Sequence, residues 1–212
     1  MKNLRIRDVL AIVANIVLAA VIIIGMRLSL IEDGKIEFYY YTELANVFSL
    51  VAAILYLVFM MISAFKEKEM PKVVSLIKYI SVISLALTFI VVLVVLAPYY
   101  NNAFGLLLFS GAYLCYHTLA PLIALISFMF FEEHNVKGLI DNLIGISLTL
   151  LYGVVMIILN VARVITGPYP FLLVYKNTFG MSVVWFIGII GGTFLLAELI
   201  GFVSSKGKKV IK

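Results

Sequence analysis

Six long apolar stretches decide what this chain can fold into. They run from Val9 to Leu30, Ile36 to Phe65, Val73 to Pro98, Phe104 to Phe131, Gly138 to Ala162 and Met181 to Ser204. Each matches a hydrocarbon core of about 30 Å, which takes roughly 20 helical residues to cross. Lipid offers no partners to backbone N–H and C=O groups, so a spanning segment is a helix or part of a closed barrel. A barrel strand alternates in polarity and is about half as long; these runs are continuously apolar. The expected fold is therefore all-α: a polytopic integral membrane protein whose residues 1–212 form a single bundle of six transmembrane helices. The composition agrees, with 64% hydrophobic and 13% charged residues and a mean hydropathy of +1.16. A water-soluble domain of this length cannot cover so much apolar surface.

The first stretch follows Lys2, Arg5 and Arg7 and has the flank of a signal peptide. It is longer than a signal's apolar core and no small-residue cleavage site follows it, so a retained helix is expected. The amino terminus, the second and fourth connections and the carboxyl tail hold eleven basic residues: Lys2, Arg5, Arg7, Lys66, Lys68, Lys72, Lys137, Lys206, Lys208, Lys209 and Lys212. The opposite side holds four, Arg27, Lys35, Arg163 and Lys176, with Lys78 left out because it lies inside the third stretch. By the positive-inside rule both termini face the cytoplasm, and a multi-pass cell-membrane protein is expected. The net charge of +5 is explained by this asymmetry, and no aromatic-interleaved basic patch points to nucleic acid. The single cysteine, Cys115, excludes an internal disulfide framework.

Polar side chains within apolar spans are costly and mark function by default. Thr42, Asn46, Ser49 and Ala53 recur at spacings of four, three and four, which puts them on one helical face. Two readings stand for that stripe: a tight helix-to-helix seam of small and weakly polar residues, or the polar wall of a site. In the fourth stretch His117 falls near mid-depth, and the ring of Pro121 opposes its carbonyl, which predicts a kink and a freed acceptor. Imidazole is the side chain best matched to proton transfer near neutral pH. Glu198 and Asp141 lie toward the cytoplasmic end and read as structural; Asn15 and Asn160 read as seam residues, with Asn160 nearer the outer side. Between the fifth and sixth stretches, Arg163 to Gly180 contains Gly167, Pro168 and Pro170 as helix breakers and Tyr169, Phe171 and Tyr175 as interfacial aromatics, a cap against the membrane surface.

No metal is expected. A catalytic zinc takes three protein ligands; this chain has only His117 and His134, about 25 Å apart if one helix joins them at 1.5 Å per residue. That argues against the multi-histidine membrane ceramidases and progestin-receptor-like hydrolases. There is no zincin motif, no Gly-x-Ser-x-Gly elbow and no phosphate-cradling glycine loop, so no cofactor is expected either.

Tyr-Tyr-Thr-x-x-x-Asn at Tyr40 to Asn46, His-x-x-x-Pro at His117 to Pro121, and Gly-x-Tyr-Pro-Phe at Gly167 to Phe171 together resemble the androgen-induced-protein family of six-helix hydrolases, including its bacterial relatives. The resemblance covers helix number, order and motif placement over nearly the whole chain. It implies an integral-membrane threonine hydrolase that cleaves fatty acid esters of hydroxy fatty acids, with Thr42 as nucleophile and His117 as base. One departure is that Ser127 and its neighbours supply no acidic residue some turns after the histidine-proline pair, so the sequence offers no orienting carboxylate. Chemically, a threonine hydroxyl becomes a nucleophile when neutral imidazole takes its proton. Asn46, one turn on, is the candidate donor to an oxyanion. Tyr113, one turn before His117, is the candidate for orienting the ring. Arg163 is a candidate for holding a fatty-acid carboxylate, or a snorkelling interfacial arginine. The expected site is a mostly apolar pocket toward the outer leaflet, lined by Thr42, Asn46, Tyr113, His117 and Asn160.

Two other classes remain open on sequence alone, a non-catalytic lipid-binding or carrier protein and a membrane scaffold. With straight helices, moreover, Thr42 lies near the outer end of its segment while His117 is about thirteen residues into its own. At 1.5 Å per residue that is a depth mismatch on the order of 10 Å. Closing it takes tilt, the Pro121 kink or a later start to the second helix.

Overall fold

The computed structural model describes residues 5–34, 38–66 and 69–207. Among these residues the secondary structure is helical, with no strand. The chain runs through α1 (Ile6–Asp33), α2 (Tyr41–Lys66), α3 (Lys72–Tyr99), the short α4 (Phe104–Phe109), α5 (Gly111–Phe131), α6 (Gly138–Gly145), α7 (Ser147–Val161) and α8 (Phe179–Gly207). Five of them, α1, α2, α3, α5 and α8, are long and apolar enough to cross a membrane. The pair α6 and α7, bent by 41°, makes a sixth when taken as one broken span.

The boundaries depart from the apolar stretches in two places that matter. The second stretch was expected from Ile36, which lies outside the described residues; Phe38–Tyr40 form a turn, and α2 begins only at Tyr41. The fourth stretch, expected as one helix from Phe104 to Phe131, is two. Ser110 is extended, with φ −118° and ψ 145°, and Gly111 takes a left-handed φ of +45°, a conformation that glycine adopts without steric cost. Of the basic residues that set the expected orientation, Lys2, Lys35, Lys68, Lys208, Lys209 and Lys212 lie outside the described residues.

Both prolines inside long spans are absorbed by a widened helical turn. A proline has no N–H and its ring crowds the carbonyl four residues back. Ahead of Pro98 the segment Val92–Leu96 is π-helical, and Ala97 N–H reaches back five residues to the Val92 carbonyl. Ahead of Pro121 the segment Leu114–Leu119 is π-helical, with Ala120 N–H bonded to the Cys115 carbonyl. His117 therefore lies inside a π-bulge, a distortion that recurs at functional sites.

One end of the bundle is ionic. Arg5 caps α1 by a reciprocal pairing with Asp8, and Arg5 and Arg7 both pair with Glu133. Lys72 pairs with Asp141 at 2.9 Å, and Asp141 also accepts the Lys137 N–H at 2.7 Å. Beneath this layer Lys78, only 1% exposed, donates to Asn15 Oδ1 at 2.6 Å and lies 3.5 Å from Glu132. Asn15 and Ser127 also donate to the same Glu132 oxygen, at 2.8 and 2.6 Å. A lysine and a glutamate inside the bundle are tolerable because each is paired and hydrogen-bonded.

Candidate active site

The break at Ser110 builds the site. It leaves α4 as a six-residue helix whose last carbonyls have no partners within it. Three side chains satisfy them: Ser110 Oγ donates to Leu106 O at 2.6 Å, Thr118 Oγ1 to Leu108 O at 2.8 Å, and His117 Nδ1 to Leu107 O at 2.7 Å. The long helix α5 now starts at Gly111, so His117 is six residues in from its end rather than thirteen. Thr42 is the second residue of α2. The depth mismatch expected of straight helices is gone, and Thr42 Oγ1 lies 3.5 Å from His117 Nε2.

The Leu107 bond also decides the ring's chemistry. A carbonyl oxygen only accepts, so Nδ1 carries the proton and Nε2 presents its lone pair to Thr42. His117 is 5% exposed, and Tyr113 stacks on it with ring centroids 5.2 Å apart and planes 10° from parallel. The imidazole is thus held in tautomer by Leu107 and in plane by Tyr113. Separations of 3.5 Å between nucleophile and base are common without substrate and tighten when it binds.

Tyr169, read from the sequence as an interfacial aromatic and a member of the Gly-x-Tyr-Pro-Phe motif but given no role at the site, completes the arrangement. It is 8% exposed, and its Oη accepts the Thr42 backbone N–H at 3.5 Å. Its own O–H is left to donate. Burial, above all, pushes this phenol up to about 12, so it remains a donor through the neutral range. The loop that carries it is pinned to α7. Asn160 Nδ2 donates to Leu172 O at 2.8 Å, and Tyr175 Oη donates to Val161 O at 2.6 Å. Gly167 is required here, because a Cβ would fall 2.5 Å from Leu172 O and 2.7 Å from Asn160 Nδ2.

Thr42, Tyr169 and Leu96 line two adjoining cavities. One is an almost wholly apolar slot of about 100 Å³ whose walls include Leu87, Val91, Ile157, Phe171, Trp185 and Ile189. The other is a wider vestibule of about 550 Å³ that also contains His117, Tyr113, Glu32 and Glu43. The Thr42 hydroxyl therefore stands at the junction of an apolar and a polar space.

The remaining expected site residues are placed elsewhere. Asn46 is buried and lines neither cavity; its amide donates to the Thr42 carbonyl at 2.9 Å, along its own helix. Lower on the same stripe, Ser49 Oγ donates to Ala45 O and receives Ser81 Oγ at 2.8 Å. The stripe is thus a site at its first turn and a seam between α2 and α3 below. Asn160 holds the loop and, with Arg163 and Lys176, lines a separate cavity of about 480 Å³. Arg163 itself lies over the Tyr175 ring, 4.9 Å from its centroid. Among the described residues no group of three or more His, Cys, Asp or Glu side chains is placed to hold a metal.

Comparison with protein-family models, with curated proteins and with solved structures finds no match to this chain.

Proposed function

We propose that this protein is a membrane-embedded hydrolase of long-chain acyl esters, with Thr42 as nucleophile and His117 as general base. The observation that carries this reading is the Thr42 Oγ1 to His117 Nε2 approach of 3.5 Å, with the opposite ring nitrogen fixed as a donor by Leu107. In the proposed reaction Thr42 Oγ1 adds to the ester carbonyl carbon as His117 Nε2 takes its proton. The Tyr169 hydroxyl donates to the oxyanion, near the positive end of the α2 dipole. Collapse of the tetrahedral intermediate breaks the carbon–oxygen bond to the alcohol, which leaves with the proton from His117. A water, deprotonated by the same nitrogen, then releases the fatty acid and restores Thr42. No cofactor enters these steps.

The carbons of the acyl chain next to the ester are assigned to the apolar slot, whose volume of about 100 Å³ takes only part of a long chain, and the alcohol side to the vestibule. The ionic end carrying Arg5, Arg7, Lys72 and Lys137 is assigned to the cytoplasm, with both termini there and the site toward the outer leaflet of the cell membrane. The likeness of the three motifs to the androgen-induced-protein family supports the same chemistry. A non-catalytic lipid carrier is the competing reading, favoured by the length of the Thr42 to His117 contact, which lies at the outer limit for a hydrogen bond. Turnover of a long-chain ester by the purified protein in detergent separates the two. Hydrolysis lost in Thr42→Ala, in a variant that keeps the wild-type melting temperature, supports the enzyme; binding of the ester without turnover supports the carrier.

A further inference from the structure

We infer that the alcohol side of the substrate bears a cationic amine, and that the vestibule is built to take it. This rests on the reading of the Thr42 and His117 pair as the point of ester cleavage, and it narrows the substrate class.

Charge is the first argument. Among the described residues, the vestibule's walls include two carboxylates, Glu32 and Glu43, and no lysine or arginine. Glu43 follows Thr42 directly in the chain and is buried, and Ser29 Oγ donates to its Oε1 at 3.0 Å. That bond fixes one carboxylate oxygen toward α1. Glu32 is pressed against the first residue of α5, so closely that a Cβ on Gly111 would fall 2.2 Å from its Oε1. Of the four basic residues assigned to this side, Arg163 and Lys176 line a different cavity, Arg27 is not among the vestibule's walls, and Lys35 lies outside the described residues.

The second argument is the aromatic lining. Tyr40, Tyr100, Tyr113, Tyr116 and Tyr169 all border the same space. Tyrosine faces combined with carboxylates recognise an organic ammonium, whose charge is attracted by ring quadrupoles and whose alkyl groups shed water against them. A free carboxylate on the substrate, as in a fatty acid ester of a hydroxy fatty acid, would meet two carboxylates and, among the described residues of the wall, no lysine or arginine. The geometry therefore points away from the anionic ester that the motif likeness implies and toward a choline- or ethanolamine-like alcohol.

The test uses the full-length protein in a neutral detergent. Three esters of one long-chain acid are compared: a choline ester, a glycerol monoester and an ester of a hydroxy fatty acid. The expected result is a kcat/KM for the choline ester about tenfold or more above the hydroxy-acid ester, with the glycerol ester between them. In Glu32→Gln, and separately in Glu43→Gln, the ratio should shrink to within about threefold. Glycerol or hydroxy-acid esters turned over as fast as the choline ester overturn the inference while leaving the hydrolase reading intact. Shifts of the melting temperature by two uncleavable amphiphiles of equal chain length, an alkyl choline ether and an alkyl carboxylate, give a readout without turnover. A larger stabilisation by the choline ether, lost in Glu32→Gln, supports the vestibule's preference even if no ester is cleaved and the hydrolase reading fails. Equal stabilisation by the two overturns it.

Discussion

His117 donates from Nδ1 to the Leu107 carbonyl at 2.7 Å, across the break that separates α4 from α5. This one bond joins the fold to the chemistry. It satisfies a carbonyl left over at the end of a six-residue helix, it selects the imidazole tautomer, and it turns Nε2 toward Thr42. In the serine hydrolases the same orienting task falls to a carboxylate. A backbone carbonyl orients the ring equally well but carries only a partial charge, so it stabilises an imidazolium less.

Replacement of Tyr169 with phenylalanine removes the hydroxyl beside Thr42 and keeps the ring, which stacks on Phe171 with centroids 5.1 Å apart. If the hydroxyl donates to the oxyanion, kcat should fall by about 10² to 10³-fold, the usual cost of losing one such donor. KM should change little. Because the phenol is pushed up to about 12, it is protonated, and able to donate, at every pH below that. The variant should therefore lower the plateau of the pH–rate profile without moving its limbs. A wild-type kcat in Tyr169→Phe ends this assignment.

The inner network makes a stability prediction independent of function. Lys78→Met leaves Glu132, 1% exposed, without its positive partner, and removing one member of a buried pair costs about 3–5 kcal/mol. The melting temperature in detergent should drop sharply. Adding Glu132→Gln to it should recover part of the loss, since the uncompensated charge is then gone. A double variant less stable than Lys78→Met alone contradicts the pairing.

How much of this was readable beforehand depends on which groups carry the signal. Apolar length alone places the spans, because the cost of unsatisfied backbone in lipid leaves few alternatives. Thr42 and His117 are visible as polar side chains in apolar surroundings. The α4 to α5 break is signalled only by the Ser110-Gly111 dipeptide, a turn pair whose weak signal is masked by the apolar run on either side of it. The role of Leu107 belongs to a backbone carbonyl, which every residue has, so no side-chain pattern can disclose it. Tyr169 sits inside the Gly-x-Tyr-Pro-Phe motif, yet an aromatic at a membrane boundary has an ordinary explanation that hides a second one. Asn46 misleads for the opposite reason. Its spacing from Thr42 is right for a shared site, but at four residues the amide reaches the carbonyl of its own helix first.

Orientation gives a further prediction. The residues whose side chains meet at the ionic end, Arg5, Arg7 and Glu133 and then Lys72 and Asp141, come from the start of α1, the start of α3, the connection that leads into α6 and the first turn of α6. The positive-inside rule assigns that end to the cytoplasm. An epitope tag at either terminus should resist external protease in intact cells and be cut once the membrane is opened. Cleavage of a carboxyl-terminal tag from outside would reverse the topology and, with it, the assignment of the site to the outer leaflet.

The final prediction concerns Thr42 and His117 as a unit. If His117 takes the proton from Thr42 in the same step that forms the carbon–oxygen bond, either alanine variant removes that step, and each should lose about 10³-fold or more in kcat. Once one is gone the other has nothing left to assist, so the double variant should be little worse than either single one. Two independent binding contacts behave differently: each loss would raise KM, and the free energies would add, multiplying two partial losses. The assay is hydrolysis of one long-chain ester by the wild type, Thr42→Ala, His117→Ala and the double variant, each checked for an unchanged melting temperature. Near-identical losses in all three variants support a nucleophile and its base. Multiplying losses carried in KM would instead make the pair a binding contact, and full activity in Thr42→Ala would end the nucleophile assignment outright.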